Sequence, residues 1–432
     1  MNELARKTGF VKRASSKLKG FEIIETFSSD TITDPYISYD GLCSQIERLN
    51  PDASMTPQAL EQRVNSPECV EYLKTVFEES ITGKLLPKEM PLPDLLDYFE
   101  NIYIEDSTTV TLHEKLADEF RGSGGNASKA AIKVDCIYEL RNQQIANITL
   151  KEGTNPDQNM AAAINDIMKP GDLRIADLGY FSVPSVMDAD ANSAFYLSRL
   201  LKSCHVYLQE DDQEPANLSE YLNKKIPNTH AIDLKVYIGK KERFPVRLIA
   251  YRLPQEVVSE RRRNARKSAQ KKGRTPTKDY MAWLGFSFFI TNVPDDIWTV
   301  EIPGTIYRIR WQIELIFKNW KSLLHIHVLR GFKPERIRCL IYGKLIAAAI
   351  MTMGYRYATV AGYCIHQREI SFFKMIGWIK RDMRLKKLFH APDEILEELD
   401  RELKRLSKQK RKRKTTLELI QYESGYLDYE NS

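Results

Sequence analysis

The 432-residue chain predicts an α/β protein: a mixed sheet flanked by helices, interrupted by a β-rich insertion, with helical regions at both ends. Three observations carry that expectation. β-Branched and aromatic runs begin at Asn101, after a stretch of helical texture. A strand, a hairpin, a helix and a further strand then follow, in an order compatible with a right-handed crossover. Later, Tyr307 to Lys321, YRIRWQIELIFKNWK, has helical periodicity with one apolar and one chemically varied face.

Bulk properties narrow the class. An apolar fraction of 43% with 28% charged residues fits a globular protein and argues against wholesale disorder. The net charge of +6 is modest, but cations concentrate in two blocks, which favours a polyanionic partner. Cys43, Cys69, Cys136, Cys204, Cys339 and Cys364 include no close pair of the kind that builds zinc or redox sites, so reduced thiols in the cytosol are expected. The first twenty residues are charged throughout and lack the apolar centre of a signal peptide. The most apolar run, Leu345 to Tyr355, is shorter than the roughly 20 residues a membrane span needs and reads as a buried helix.

Residues 1–95 form a helical region. Leu42 to Leu49 and Pro57 to Val64 are short periodic segments around NPDASM, the second capped by Thr56. They read equally as a small bundle or as a helix-turn-helix offering Gln58, Gln62 and Arg63 to DNA. Val70 to Phe77 is a further helix, and the proline-rich Leu85 to Pro93 marks a boundary.

The first part of the sheet domain occupies 96–201. Its strands are Ile102 to Thr109, Ala131 to Leu140, Gln144 to Lys151, Leu173 to Tyr180 and Ala194 to Leu201, with helices over Asp157 to Met168 and Pro184 to Asn192. Gly122 to Gly125 is a loop, and Arg141-Asn142-Gln143 suits a hairpin turn. The insertion, 202–302, brings strands at Ile232 to Ile238, Val246 to Tyr251 and Phe286 to Thr291. Among them lies Ser259 to Lys278, with nine Lys or Arg and one acid, including Arg261, Arg262, Arg263, Lys271 and Lys272. It reads either as a solvated helix and loop or as a phosphate-binding segment.

Residues 303–345 carry the Tyr307 helix, expected to start after Pro303-Gly304 with Thr305 as cap. At about 100° per residue, Tyr307, Arg310, Glu314 and Lys321 share an arc of roughly 60°, with Trp311 and Lys318 beside it. Ile309, Ile313, Ile316, Phe317, Trp320, Leu323 and Leu324 face the core. His325, His327, Arg330 and Lys333 follow, without a third ligand that would make the two histidines a metal site, so surface or DNA-facing roles are expected of them. Residues 346–432 are helical and include a basic cluster, Lys404 to Lys414, which after the acidic Asp393 to Glu402 reads as an exposed helix or tail, or as a contact for DNA or a second subunit.

The order Tyr, two residues, Arg, three residues, Glu, six residues, Lys resembles the signature of a large branch of bacterial insertion-sequence transposases, cut-and-paste enzymes with a ribonuclease-H-like domain and an Asp-Asp-Glu metal site. Two further matches precede it in the right order: Asp106-Ser107-Thr108 on the first strand and Ala176-Asp177-Leu178-Gly179-Tyr180-Phe181 at the end of the fourth. The resemblance implies that Asp106, Asp177 and Glu314 are catalytic and hold two magnesium ions, with manganese as an alternative. Hard cations select such oxygen ligands. Asp135 is the main rival to Asp106; Glu105, Asp172 and Asp188 are nearer the expected positions than their contexts justify.

Tyr307, Arg310 and Lys321 would hold the DNA being cut, while Trp311 either joins them or packs on the insertion. Members of this branch cut through a hairpin intermediate, and Trp283 and Trp298 are candidates to receive a flipped base, although each is more readily a core residue. The implied protein binds inverted-repeat ends and target DNA, acts as a homodimer at the bacterial nucleoid in the cytoplasm, and has no membrane partner. A structure-specific nuclease that does not integrate, or a non-catalytic DNA-binding repressor, are the competing readings.

Overall fold

The structure, a computed structural model, describes all residues except 14–15, 83–92, 126–127, 160–161, 226–229, 382–383 and 409–432. Most of the proline-rich stretch Leu85 to Pro93 and the end of the basic cluster Lys404 to Lys414 therefore lie outside the described residues.

Among the described residues there are nine strands: β1 (Ile102–Leu112), β2 (Ala130–Glu139), β3 (Gln144–Glu152), β4 (Leu173–Ala176), β5 (Phe195–Arg199), β6 (Val206–Tyr207), β7 (Ala231–Ile238), β8 (Phe244–Arg252) and β9 (Phe286–Thr291). The described chain divides into two compact units assembled from non-contiguous stretches. One comprises Met1–Pro91, Asp106–Asn155 and Gln312–Lys412; the other comprises Leu92–Glu105 and Pro156–Trp311. The sequence boundaries, in contrast, were contiguous, because pairing between strands distant in sequence leaves no compositional mark.

In the second unit, the start of β1 pairs in parallel with β4, and β4 in parallel with β5. β5 then pairs antiparallel with β9, β9 with β8, β8 with β7 and β7 with β6. The strands expected to form an insertion thus extend the same sheet. Their alternation is consistent with this, since β7 places Ile232, Val236 and Ile238 inside and Asp233 and Lys235 outward or at the edge. The basic segment is helical over Gln255–Lys271, with most of its surface in solvent.

In the first unit, β2 and β3 pair antiparallel around a turn in which Gln143 adopts a left-handed φ of 51°. The long helix Pro334–His366 supplies the core, with Ile337, Leu340, Ile341, Leu345, Ile346 and Met351 all buried. By length and composition it could cross a membrane, but 72% of its most apolar window is buried inside the protein. Gly343 is required where this helix meets the turn Thr26–Asp30, because a Cβ there would stand 2.6 Å from the Phe27 carbonyl oxygen. The N-terminal helices Tyr39–Leu49 and Pro57–Val64 form as expected, and Thr56 caps the second by accepting from the Ala59 amide. All six cysteines are free thiols, four of them buried.

The expected cap at Thr305 is corrected. Helical structure starts earlier, at Ile302, with Pro303 in the first turn where its missing N–H is no loss. It continues as a 3₁₀ segment, Tyr307–Arg310, and then as the α-helix Trp311–Leu323. In the stretch Asp157 to Met168, expected as one helix, the described residues include the short helical pieces Asp157–Asn159 and Ala162–Asn165.

Candidate active site

Parallel pairing brings Glu105 of β1 opposite Ala176 of β4, so Asp106 and Asp177 are each the residue after a paired one. Directly beneath that end, the Arg174 guanidinium donates to Glu105 Oε2 from Nη2 at 2.6 Å and from Nε at 3.0 Å. Both side chains are buried, at 5% and 0% exposure, and burial pushes the Glu105 carboxyl up despite the cation beside it. Glu105 is therefore engaged structurally. Asp172 is likewise held, accepting from the backbone and side-chain nitrogens of Asn101 and from the Lys169 amide. Asp188 accepts from Asn165 Nδ2. Asp135, on β2, is 1% exposed.

Asp177 caps the 3₁₀ turn Leu178–Tyr180, accepting from the Gly179 amide at 3.3 Å. Gly179 is needed there, since a Cβ would meet Asp157 Oδ2 at 2.7 Å. Arg310 Nε lies 3.4 Å from Asp177 Oδ1, and the Tyr307 hydroxyl donates to the Ala176 carbonyl at 3.2 Å. The 3₁₀ geometry explains how both reach β4: at three residues per turn, Tyr307 and Arg310 eclipse. The Arg310 guanidinium accordingly lies 5.9 Å from the Tyr307 ring centroid.

In the first unit, Asp106 and Glu314 line one open pocket of about 640 Å³, together with Ser107, Phe317, Lys318, Lys321, Ser322 and His327. Residues 314, 317, 318, 321 and 322 follow helical spacing, so a single stripe of the helix Trp311–Leu323 faces it. The opposite stripe, Ile313, Ile316 and Trp320, is buried. Asp106 accepts from the Ser107 amide at 2.8 Å. Two carboxylates are thus set among two lysines and an imidazole, a mixture suited to a cation and a phosphate together. Its oxygen donors suit a hard divalent ion, and no thiolate lines it. Among the described residues, however, no group of three or more His, Cys, Asp and Glu side chains is close enough together to hold a metal.

His327, expected at the surface or facing DNA, lines this pocket, a placement the sequence did not give because the loop that carries it has no periodicity. Two lysines fix that loop. Lys344 donates to the carbonyls of His325 at 2.7 Å and Val328 at 2.9 Å, and Lys380 donates to that of Leu323 at 2.9 Å. Lys380 Nζ is also 3.0 Å from His325 Nε2, and His325 takes a left-handed φ of 51°. Burial, with a smaller contribution from Lys380, lowers Lys344 to about 7. The unfolded chain holds that proton to about 10.4, so between these values the unfolded state binds more protons and stability rises with pH. We expect the Lys344→Met variant to lose about 1–2 kcal/mol of the stability that the parent gains between pH 7 and pH 9, measured by denaturant unfolding at both. An unchanged pH dependence would show that Lys344 titrates normally.

The remaining sequence candidates divide. Trp311 is 56% exposed, so it is not a core residue, and Lys318 is exposed. Arg261 donates to the Phe286 carbonyl and Ser287 Oγ, and Arg262 to the Met281 carbonyl, so both tie the basic helix to its own unit. Arg263, Lys271 and Lys272 are exposed. Arg63 donates to the Phe10 carbonyl and Ser16 Oγ, whereas Gln58 and Gln62 are exposed one turn apart. Trp298 is fully buried and donates to the Leu95 carbonyl. Trp283 stacks on Phe288 with centroids 4.1 Å apart.

The family model for the transposase DDE domain matches residues 97–350. The transposase for insertion sequence element IS231B of Bacillus thuringiensis subsp. berliner is 33% identical over 423 residues, covering 94% of this chain and 87% of that protein. The transposase for element IS231C of the same organism is 34% identical over 403 residues, 89% of this chain and 83% of that one. The transposase for IS1151 of Clostridium perfringens is 29% identical over 397 residues, 87% and 82% respectively.

Proposed function

Because the chain belongs to the transposase DDE domain family, we propose that it is an insertion-sequence transposase of the Tyr-Arg-Glu-Lys branch, binding inverted-repeat ends, cutting them and joining the 3′ ends to target DNA. The observation that supports this most is that Asp106 and Glu314, far apart in sequence, line one pocket with Lys318 and Lys321. Asp106, Glu314 and Asp177 are the residues to hold divalent ions, magnesium or manganese. Such ions supply an activated oxygen nucleophile and stabilise the leaving oxygen of an in-line displacement.

The chain's own residues do the rest. Lys318 and Lys321, three residues apart on the Glu314 helix, hold successive phosphates of the strand being cut. Tyr307 and Arg310 order the turn that carries Asp177 and form the remainder of the DNA grip. The exposed Trp311 ring lies next to them in sequence, available to a base of a distorted strand. Arg263, Lys271 and Lys272 contribute backbone contacts, and Gln58 and Gln62 contribute to end recognition. Cleavage proceeds through a hairpin, with a homodimer pairing the two ends.

The test incubates the protein with DNA carrying its own element ends, a target plasmid and magnesium, beside a sample with chelator. Joined product only in the presence of magnesium is expected. Cutting without joining would favour a nuclease, and binding without cutting under any divalent ion would favour a repressor.

A further inference from the structure

We propose that an exposed patch of aromatic-ordered cations in the first unit, built on Arg330 and Lys115 with the rings of Tyr36 and Phe332, binds the backbone of duplex DNA within about seven base pairs of the pocket of Asp106 and Glu314. The proposal rests on the transposase reading for the identity of the duplex, and extends it to a surface outside the catalytic signature.

Tyr36 is 63% exposed and Phe332 55%, unusual exposure for large aromatic side chains. The Arg330 guanidinium lies 5.4 Å from the Tyr36 ring centroid and donates to the Tyr36 carbonyl at 3.3 Å. The Lys115 ammonium lies 5.0 Å from the Phe332 centroid, and the His113 ring meets the same phenyl edge-on at 4.5 Å. Neither Arg330 nor Lys115 has a carboxylate partner among the described residues. The nearby acids are engaged elsewhere: Asp34 accepts from the Tyr36 amide, and Glu114 faces Lys129 at 3.9 Å. A ring beneath a long cationic side chain restricts its rotamers, so less freedom is lost when the cation meets an anion. The anion class that matches two such cations is a phosphate backbone.

Two chain segments run from the pocket to this patch. β1 leaves Asp106 and ends at Leu112, directly before His113. At about 3.3 Å per residue, the seven steps from Asp106 to His113 cover about 23 Å, or about seven base pairs of duplex. The second segment leaves the pocket at His327 and reaches Arg330 and Phe332 within five residues. Its start is fixed by the Lys344 bonds to the carbonyls of His325 and Val328. The patch is therefore tied to the cutting site at both ends of its own structure. Such a pairing is what a surface that sets the position of a duplex over a scissile phosphate requires.

The experiment uses full-length protein and fluorescent duplexes bearing its own element end, extended by 4 or 12 base pairs beyond the cut phosphate, on either side in turn. The parent is expected to bind the longer duplex about tenfold more tightly on one side. Arg330→Gln/Lys115→Gln should bind both lengths with the parent's short-duplex affinity, and its log–log salt slope should fall by about two. Tyr36→Leu/Phe332→Leu, which keeps both charges, should lose about threefold on the long duplex alone. A charge variant that keeps the length advantage, or loses affinity equally on both lengths, overturns the patch. Cleavage is followed in the same samples: a parent that cuts while the variants leave the length advantage unchanged sinks only this proposal, whereas a parent that neither binds nor cuts the end sinks the transposase reading with it.

Discussion

Glu314→Ala is expected to reduce strand cleavage and joining by at least about 10³-fold while leaving binding to element ends within a few fold. Loss of one carboxylate from a metal site removes several kcal/mol of charge stabilisation, and each 1.4 kcal/mol is a factor of ten in rate. Binding should survive because Lys318 and Lys321, on the same stripe, are untouched, and the helix remains anchored through Ile313, Ile316 and Trp320. Glu314→Gln, which keeps the shape and removes the charge, should be as inactive as the alanine variant. Gel-based cleavage and mobility shift on the same preparations separate the two quantities. Parent-like cutting by either variant would remove Glu314 from the site.

Arg174→Met should destabilise the protein by about 3–5 kcal/mol, because it leaves a carboxylate buried without its cation. Glu105 has no exposed surface, and its Oε2 takes both guanidinium bonds. Replacing both partners, as Glu105→Leu/Arg174→Met, should restore most of the loss, since a buried pair and a well-packed apolar pair are often of similar stability. A denaturant midpoint series on the parent, both single variants and the double variant measures the coupling. Single losses that simply add in the double variant would show that the two side chains are not coupled. Since Glu105 and Ala176 are in register immediately before Asp106 and Asp177, the double variant also tests whether this pair positions the aspartates: stability recovered without cleavage would assign it that role.

Much of the site was legible because its chemistry falls at fixed intervals. Glu314, Lys318 and Lys321 share a face by helical arithmetic alone, and the structure places all three in one pocket. The buried stripe of the same helix was equally plain, for the same reason. Asp106 and Asp177 were found by their local contexts, hydroxyls after an apolar run for the first and a glycine turn after a short strand for the second, although β1 continues past Asp106 to Leu112. What the intervals missed depends on contacts with no period. Arg261 and Arg262 look identical in sequence to Arg263, but only the first two meet carbonyls of a neighbouring segment. Glu105 could not be told from a ligand without Arg174, which is 69 positions away.

The sequence by itself determined the strand and helix alternation, the buried helix around Leu345 and the resemblance to a transposase family, since these rest on periodicity and on short ordered motifs. Only the tertiary structure decided that the presumed insertion continues the sheet through β5 and β9, that Tyr307 and Arg310 turn toward β4, and that His327 joins the pocket. The reason is physical. Periodicity records which face of an element is buried, whereas partner choice and loop course are set by pairings between residues separated by tens to hundreds of positions, and these appear only when the chain is folded.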